Sequence, residues 1–131
     1  MLVGFGRARG APLGPLNAIA HMIYGTRAYF MMGFDWGVTL SALVLHVITL
    51  VALAIPFALI AGRLRGTRLL VTALLYAGFI FVVDQFVVPA RVAPGIETQL
   101  SGPELGAVYV VLGLSLALGV RLWGGRDARV A

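Results

Sequence analysis

The stretch WGVTLSALVLHVITLVALAIPFALIAG, residues 36–62, decides the fold, because no side chain from Trp36 to Gly62 is charged. About 20 helical residues at roughly 1.5 Å each cross the hydrocarbon core of a bilayer, so a run this long and this apolar is a membrane span. His46 sits near its middle and is the one residue in it that can titrate near neutral pH.

Composition carries the same reading to the whole chain. Of the 131 residues 60% are hydrophobic and 11% are charged, against about 25% charged in an ordinary soluble domain. So few charges cannot solvate a globule of this size, and a single integral membrane domain is expected over residues 1–131. The net charge is +5, and every basic residue is Arg. A basic balance can point to nucleic acid, but these arginines stand at the ends of apolar runs, where lipid headgroups lie. No nucleic-acid partner is expected. The absence of Cys excludes disulfides and thiolate metal sites. Arg7 and Arg9 precede a stretch holding Pro12, Gly14, Pro15 and Asn17, a poor core for a cleavable signal peptide.

Three spans follow from the apolar runs, at about 36–61, 69–88 and 105–123. Gly62-Arg63-Leu64-Arg65-Gly66-Thr67-Arg68 is a tight polar turn between the first two. Pro89 to Pro103, with Pro94-Gly95 as a turn signal, separates the second from the third. Short connections predict an up-down, all-α bundle. Residues 15–30 form a further short apolar helix opened by Pro15. Three placements stay open for it: a fourth span, a re-entrant hairpin or an interfacial helix. Arg63, Arg65 and Arg68 in the turn and Arg121, Arg126 and Arg129 in the tail outnumber Arg91 in the other connection. The positive-inside rule therefore places loop 62–68 and the C-terminus in the cytoplasm. If residues 15–30 cross, Arg7 and Arg9 join that side.

Helical steps of three and four place Asp35, Thr39, Ala42, His46, Thr49 and Leu53 along one stripe of the first span. A polar group in hydrocarbon costs several kcal/mol unless partnered, so this stripe is expected to face protein or water. Pro56 should bend the helix. On the second span Ala73, Ala77 and Asp84 share a face, which points Asp84 into the bundle. The third carries Gly113-x-x-x-Ala117 and Ser115-x-x-x-Gly119, both small-residue packing patterns. Asn17 and His21 are four apart on one helical face, with Met22, Met31 and Met32 nearby. Thioethers suit Cu(I) but more often fill gaps.

No His-Glu-x-x-His, no Gly-rich phosphate loop and no Ser with a defensible base is present. The chain is therefore expected not to be an enzyme, and no cofactor is predicted. The leading reading is a non-enzymatic accessory or assembly component that meets lipid and either other membrane subunits or copies of itself. The first alternative is a homo-oligomer conducting protons or small solutes along Asp35, Thr39, His46, Thr49 and Asp84. The second is haem or metal ligation by His21 and His46. For His46 itself, structural hydrogen bonding is preferred over proton transfer and ligation.

Two stretches carry a resemblance. One is Pro15-Leu16-Asn17-Ala18-Ile19-Ala20-His21 with Tyr24-Gly25 and Ala28. The other is Val83-Asp84, Val88-Pro89-x-Arg91, Pro94-Gly95-Ile96-Glu97, Leu100-Ser101 and Tyr109. Over most of residues 11–120 the chain resembles a family of small, functionally uncharacterised bacterial inner-membrane proteins with about four transmembrane helices. The resemblance implies a fold and a bacterial inner-membrane location, but no reaction. Such proteins carry a further hydrophobic helix before the Pro-Leu-Asn-Ala stretch. Here Met1 to Gly6 reads as the tail of that helix. The resemblance then leaves Asn17 and His21 in a connection between helices at the outer surface.

Overall fold

The computed structural model describes residues 1–89 and 91–127, with side chains as far as Trp123. The described residues are helical and contain no strand. Among the described residues three helices are long and apolar enough to cross a membrane: α4 (Trp36–Ala61), α5 (Gly66–Phe86) and α6 (Gly102–Asp127, apolar to Trp123). They follow the short helices α1 (Leu2–Ala8), α2 (Gly14–Asn17) and α3 (His21–Tyr24).

The expectation of one helix over 15–30 is corrected. The chain there winds through α2, a 3-10 turn at Ala18–Ala20, α3 and a second 3-10 stretch at Gly25–Phe30. Gly25 breaks the path with φ +63° and ψ −154°, a conformation open only to glycine. None of these pieces is a span. They fold across the end of the bundle that holds the start of α4, and the turn at Ala18–Ala20 lies against both α4 and the Ile96–Thr98 turn between α5 and α6. Residues 1–35 thus form a cap on one end. Arg63, Arg65, Arg68 and Arg121 mark the opposite end.

Local signals explain the helix starts. Asp35 caps α4: its Oδ1 accepts from Val38 N–H at 2.8 Å, and its own N–H donates to Thr39 Oγ1 at 3.1 Å. At α6, Ser101 N–H and hydroxyl donate to Glu104 Oε2 at 2.8 and 2.6 Å. Pro103 is tolerated in that first turn. These bonds start α6 at Gly102 rather than at the expected Leu105. The start of α5 at Gly66 likewise takes in the polar Thr67 and Arg68, and its end falls at Phe86 rather than Val88.

The tightest packing is between α5 and α6. Ala73 and Ala77 of α5 are buried, as expected from their shared face, and so is Ile80. Gly113 lets the helices approach: a Cβ there would stand 3.1 Å from Ala73 O and 3.3 Å from Ala77 Cβ. The second expected pattern is not used for packing, since Ser115 and Gly119 are exposed.

α4 is held at its ends. Val38, Thr39 and Ala42 are buried beneath the cap, Phe57 and Ala61 near the arginine end, and no residue from Leu43 to Pro56 is buried. Phe57 tilts against Tyr76 of α5 with ring centroids 5.3 Å apart. The Tyr76 hydroxyl donates to Leu53 O at 3.0 Å, beside the backbone that Pro56 disrupts. The expected polar stripe therefore divides. Thr39 is buried, His46 is half-buried, and Thr49 is exposed because α4 stands clear of its neighbours there.

Gly113→Leu should destabilise the α5–α6 pair by about 1–3 kcal/mol. Gly119→Leu, whose Cβ would meet nothing within 4 Å, should stay within about 0.5 kcal/mol of the parent. Unfolding midpoints of the two variants in one detergent check this, and equal midpoints would contradict the assigned helix face.

Candidate functional site

The polar side chains gather at the capped end. Asn17 is fully buried, and an unpaired amide there would cost several kcal/mol. Its Nδ2 donates to Met31 O at 2.7 Å and Gly33 O at 2.8 Å, while its Oδ1 accepts from the Thr39 hydroxyl at 2.9 Å. Thr39 in turn accepts from Asp35 N–H. One continuous network thus joins α2, the segment entering α4, and the first turn of α4.

Four residues after Asn17, His21 is buried and stacks on Tyr29 with centroids 5.0 Å apart. Its Nδ1 lies 2.9 Å from Ala18 O. Gly95, at φ +76°, brings its backbone against this ring: a Cβ would fall 2.7 Å from His21 Nδ1 and 2.8 Å from Ala18 O. A residue with a side chain would meet both the left-handed backbone penalty and this collision. Gln99 Nε2 donates to Tyr29 O at 3.2 Å. Burial, and secondarily the Glu97 carboxylate, hold the Tyr29 phenol above the ordinary tyrosine range.

A second group lies between α5 and α6. Tyr109 Oη donates to Asp84 Oδ2 at 2.8 Å, so Asp84 points into the bundle as its helical face requires. Gln85 Nε2 and Glu97 Oε2 are buried without a hydrogen-bond partner among the described residues. At the rim Arg9 donates to Gln99 O and pairs with Glu104, pinning the N-terminal segment to the start of α6.

The site residues expected from sequence are thus divided. Asn17, Asp35 and Thr39 are bonded to one another, His21 and Asp84 belong to neighbouring groups at the same end, and Thr49 joins none of them. His46 lies seven residues beyond Thr39 on α4, roughly 10 Å further along. His21, by contrast, packs within the cap on Tyr29 and Gly95. Met31 lends its carbonyl to Asn17, and Met32 Sδ would lie 3.4 Å from a Cβ on Gly14. Among the described residues no three His, Cys, Asp or Glu side chains are grouped as metal ligands. The Ser101–Glu104 pair resembles a nucleophile beside a base, but it is a helix cap.

Sequence reasoning missed Arg9, Gln99 and Glu104 as cap fasteners. Ser101-x-x-Glu104 was the available signal for the last of these. Comparison with known protein families, curated proteins and solved structures finds no match to this chain.

Thr39→Val should lower the unfolding midpoint in detergent, because it orphans the buried Asn17 carbonyl and Asp35 N–H. The expected loss is about 1–3 kcal/mol. Thr39→Ser, which keeps the hydroxyl, should recover most of the loss. Equal midpoints for the two variants would show that the network does not hold the cap.

Proposed function

We propose that the protein is a non-enzymatic accessory or assembly component of a bacterial inner membrane. In this reading it packs against other membrane subunits or further copies of itself. The observation that carries the reading is the middle of α4. From Leu43 to Pro56 no residue is buried, and half-buried His46 forms no hydrogen bond with another described residue there. Lipid tails satisfy the exposed Leu, Val and Ile side chains but offer an imidazole nothing. A partner helix supplies both contact surface and a hydrogen-bonding group. The capped end supports the same reading, because Asn17, Thr39, Asp35 and Glu104 are taken up in holding the fold together.

The orientation proposed with it places loop 62–68 and the C-terminus in the cytoplasm. The cap keeps Arg7, Arg9 and Arg27 at the end that also carries Arg91, so the arginine bias is six to four rather than six to one. Arg129 in that count lies outside the described residues, and of Arg126 only the backbone is described. Asp35, Asp84, Glu97 and Glu104 all lie at the capped end, but carboxylates contribute little to the rule. The bacterial inner membrane rests on the resemblance of residues 11–120.

A second reading is favoured by Asp84, a half-buried carboxylate bonded to Tyr109 inside the bundle. A homo-oligomer could present it, with His46, to a shared path for protons or small solutes. Purification of the full chain in mild detergent separates the two. The accessory reading predicts a complex or oligomer that His46→Leu weakens, with no proton flux after reconstitution in liposomes. A monomer that conducts protons unaided would overturn it, and flux lost in Asp84→Asn would favour the second reading.

A further inference from the structure

At the arginine end, a cavity of about 510 Å³ lies on the α5–α6 pair, lined by Arg65, Gly66, Leu69, Leu70, Ala117, Leu118 and Arg121. Its chemistry is divided along its length. Arg65 and Arg121 are its charged lining residues, and Leu69, Leu70, Ala117 and Leu118, which lie further along the helices toward the bundle centre, are apolar. Arg65 is exposed, but its side chain is tethered to the backbone of the preceding turn. Its Nη1 donates to Gly62 O at 2.9 Å and Leu64 O at 2.8 Å, which sets the guanidinium in place and leaves its other N–H groups to bind. Arg65 is also the N-cap residue of α5, directly before Gly66, and no side chain caps that end. The first residue of this 21-residue helix, Gly66, lines the same cavity, so the uncapped N–H groups of the first turn lie beside it. Every carboxylate whose side chain is described lies at the opposite end of the bundle, so none among them competes for the arginines.

We infer that this groove binds an anionic phospholipid. Its phosphodiester lies between Arg65 and Arg121 at the first turn of α5, and an acyl chain lies along Leu69, Leu70, Ala117 and Leu118. Guanidinium groups suit phosphate oxygens by shape as well as charge, and two of them line this groove. A groove that is basic at the membrane surface and apolar within fits a molecule built the same way. The inference requires only that α5 and α6 span the membrane, and it stands apart from the proposed accessory role.

The test uses the full-length protein in mild detergent, titrated with phosphatidylglycerol, phosphatidylcholine or inorganic phosphate. Bound lipid is read by native mass spectrometry. Phosphatidylglycerol should be retained in preference to phosphatidylcholine, and inorganic phosphate should not displace it. Arg121→Gln should weaken retention about fivefold, the effect of one arginine near an anionic surface. Leu118→Trp, which fills the apolar wall and leaves both arginines, should weaken it as well. Arg63→Gln, outside the groove, should leave it unchanged. Equal retention of the two lipids would overturn the inference. Displacement by phosphate alone, or retention unchanged in both groove variants, would do so too.

Discussion

The buried amide of Asn17 is the constraint on which the capped end depends. Once the chain folds over the bundle, that side chain is sealed from solvent and must have its donors and acceptor met. Met31 O, Gly33 O and the Thr39 hydroxyl meet them. These partners lie on both sides of the entry into α4, so satisfying one side chain fixes the path of the entering strand of chain and its angle to the helix. Because Thr39 also accepts from Asp35 N–H, the α4 cap and the cap over the bundle form together.

This constraint complements a weaker one within the membrane. Apolar helices in lipid gain little from hydrophobicity alone and associate through close packing and a few polar contacts. α5 and α6 have both, in the Gly113 approach and the Tyr109–Asp84 bond. α4 shows neither from Leu43 to Ala52. It is tied by Asn17 and Thr39 at one end and by Phe57, Ala61 and the Tyr76 bond to Leu53 toward the other. The result is a closely packed helix pair and a third helix held at its ends, leaving its centre open to lipid or a partner.

The spans were legible because crossing a bilayer requires an apolar length, and that requirement is written in composition. The bounds Trp36–Ala61 were readable because Asp35 and Arg63 bracket an uncharged run that ends on Gly62. The start of α6 was not, because Pro103 reads as a breaker although it is harmless in a first turn, and Ser101–Glu104 supplies the cap. The apolar composition of residues 15–30 suits a single helix, which the chain does not form. Its actual path follows from bonds to residues far along the chain, such as Gln99 to Tyr29 and Arg9 to Glu104. Such bonds leave no periodic trace. For the site, a helical face correctly turned Asp84 inward. The same reasoning placed Thr49 with His46, because a stripe on one helix says nothing about where the neighbouring helix stops touching it.

Sidedness tests the central claim, that residues 1–35 cap one end of a three-span bundle rather than cross it. The chain has no cysteine, so single cysteines at the exposed positions Arg7, Thr26, Thr67 and Val92 can be labelled in sealed vesicles with a membrane-impermeant thiol reagent. The account predicts that positions 7, 26 and 92 label from one side and position 67 from the other. Labelling of positions 7 and 26 from opposite sides would show that the segment crosses the membrane and would contradict it.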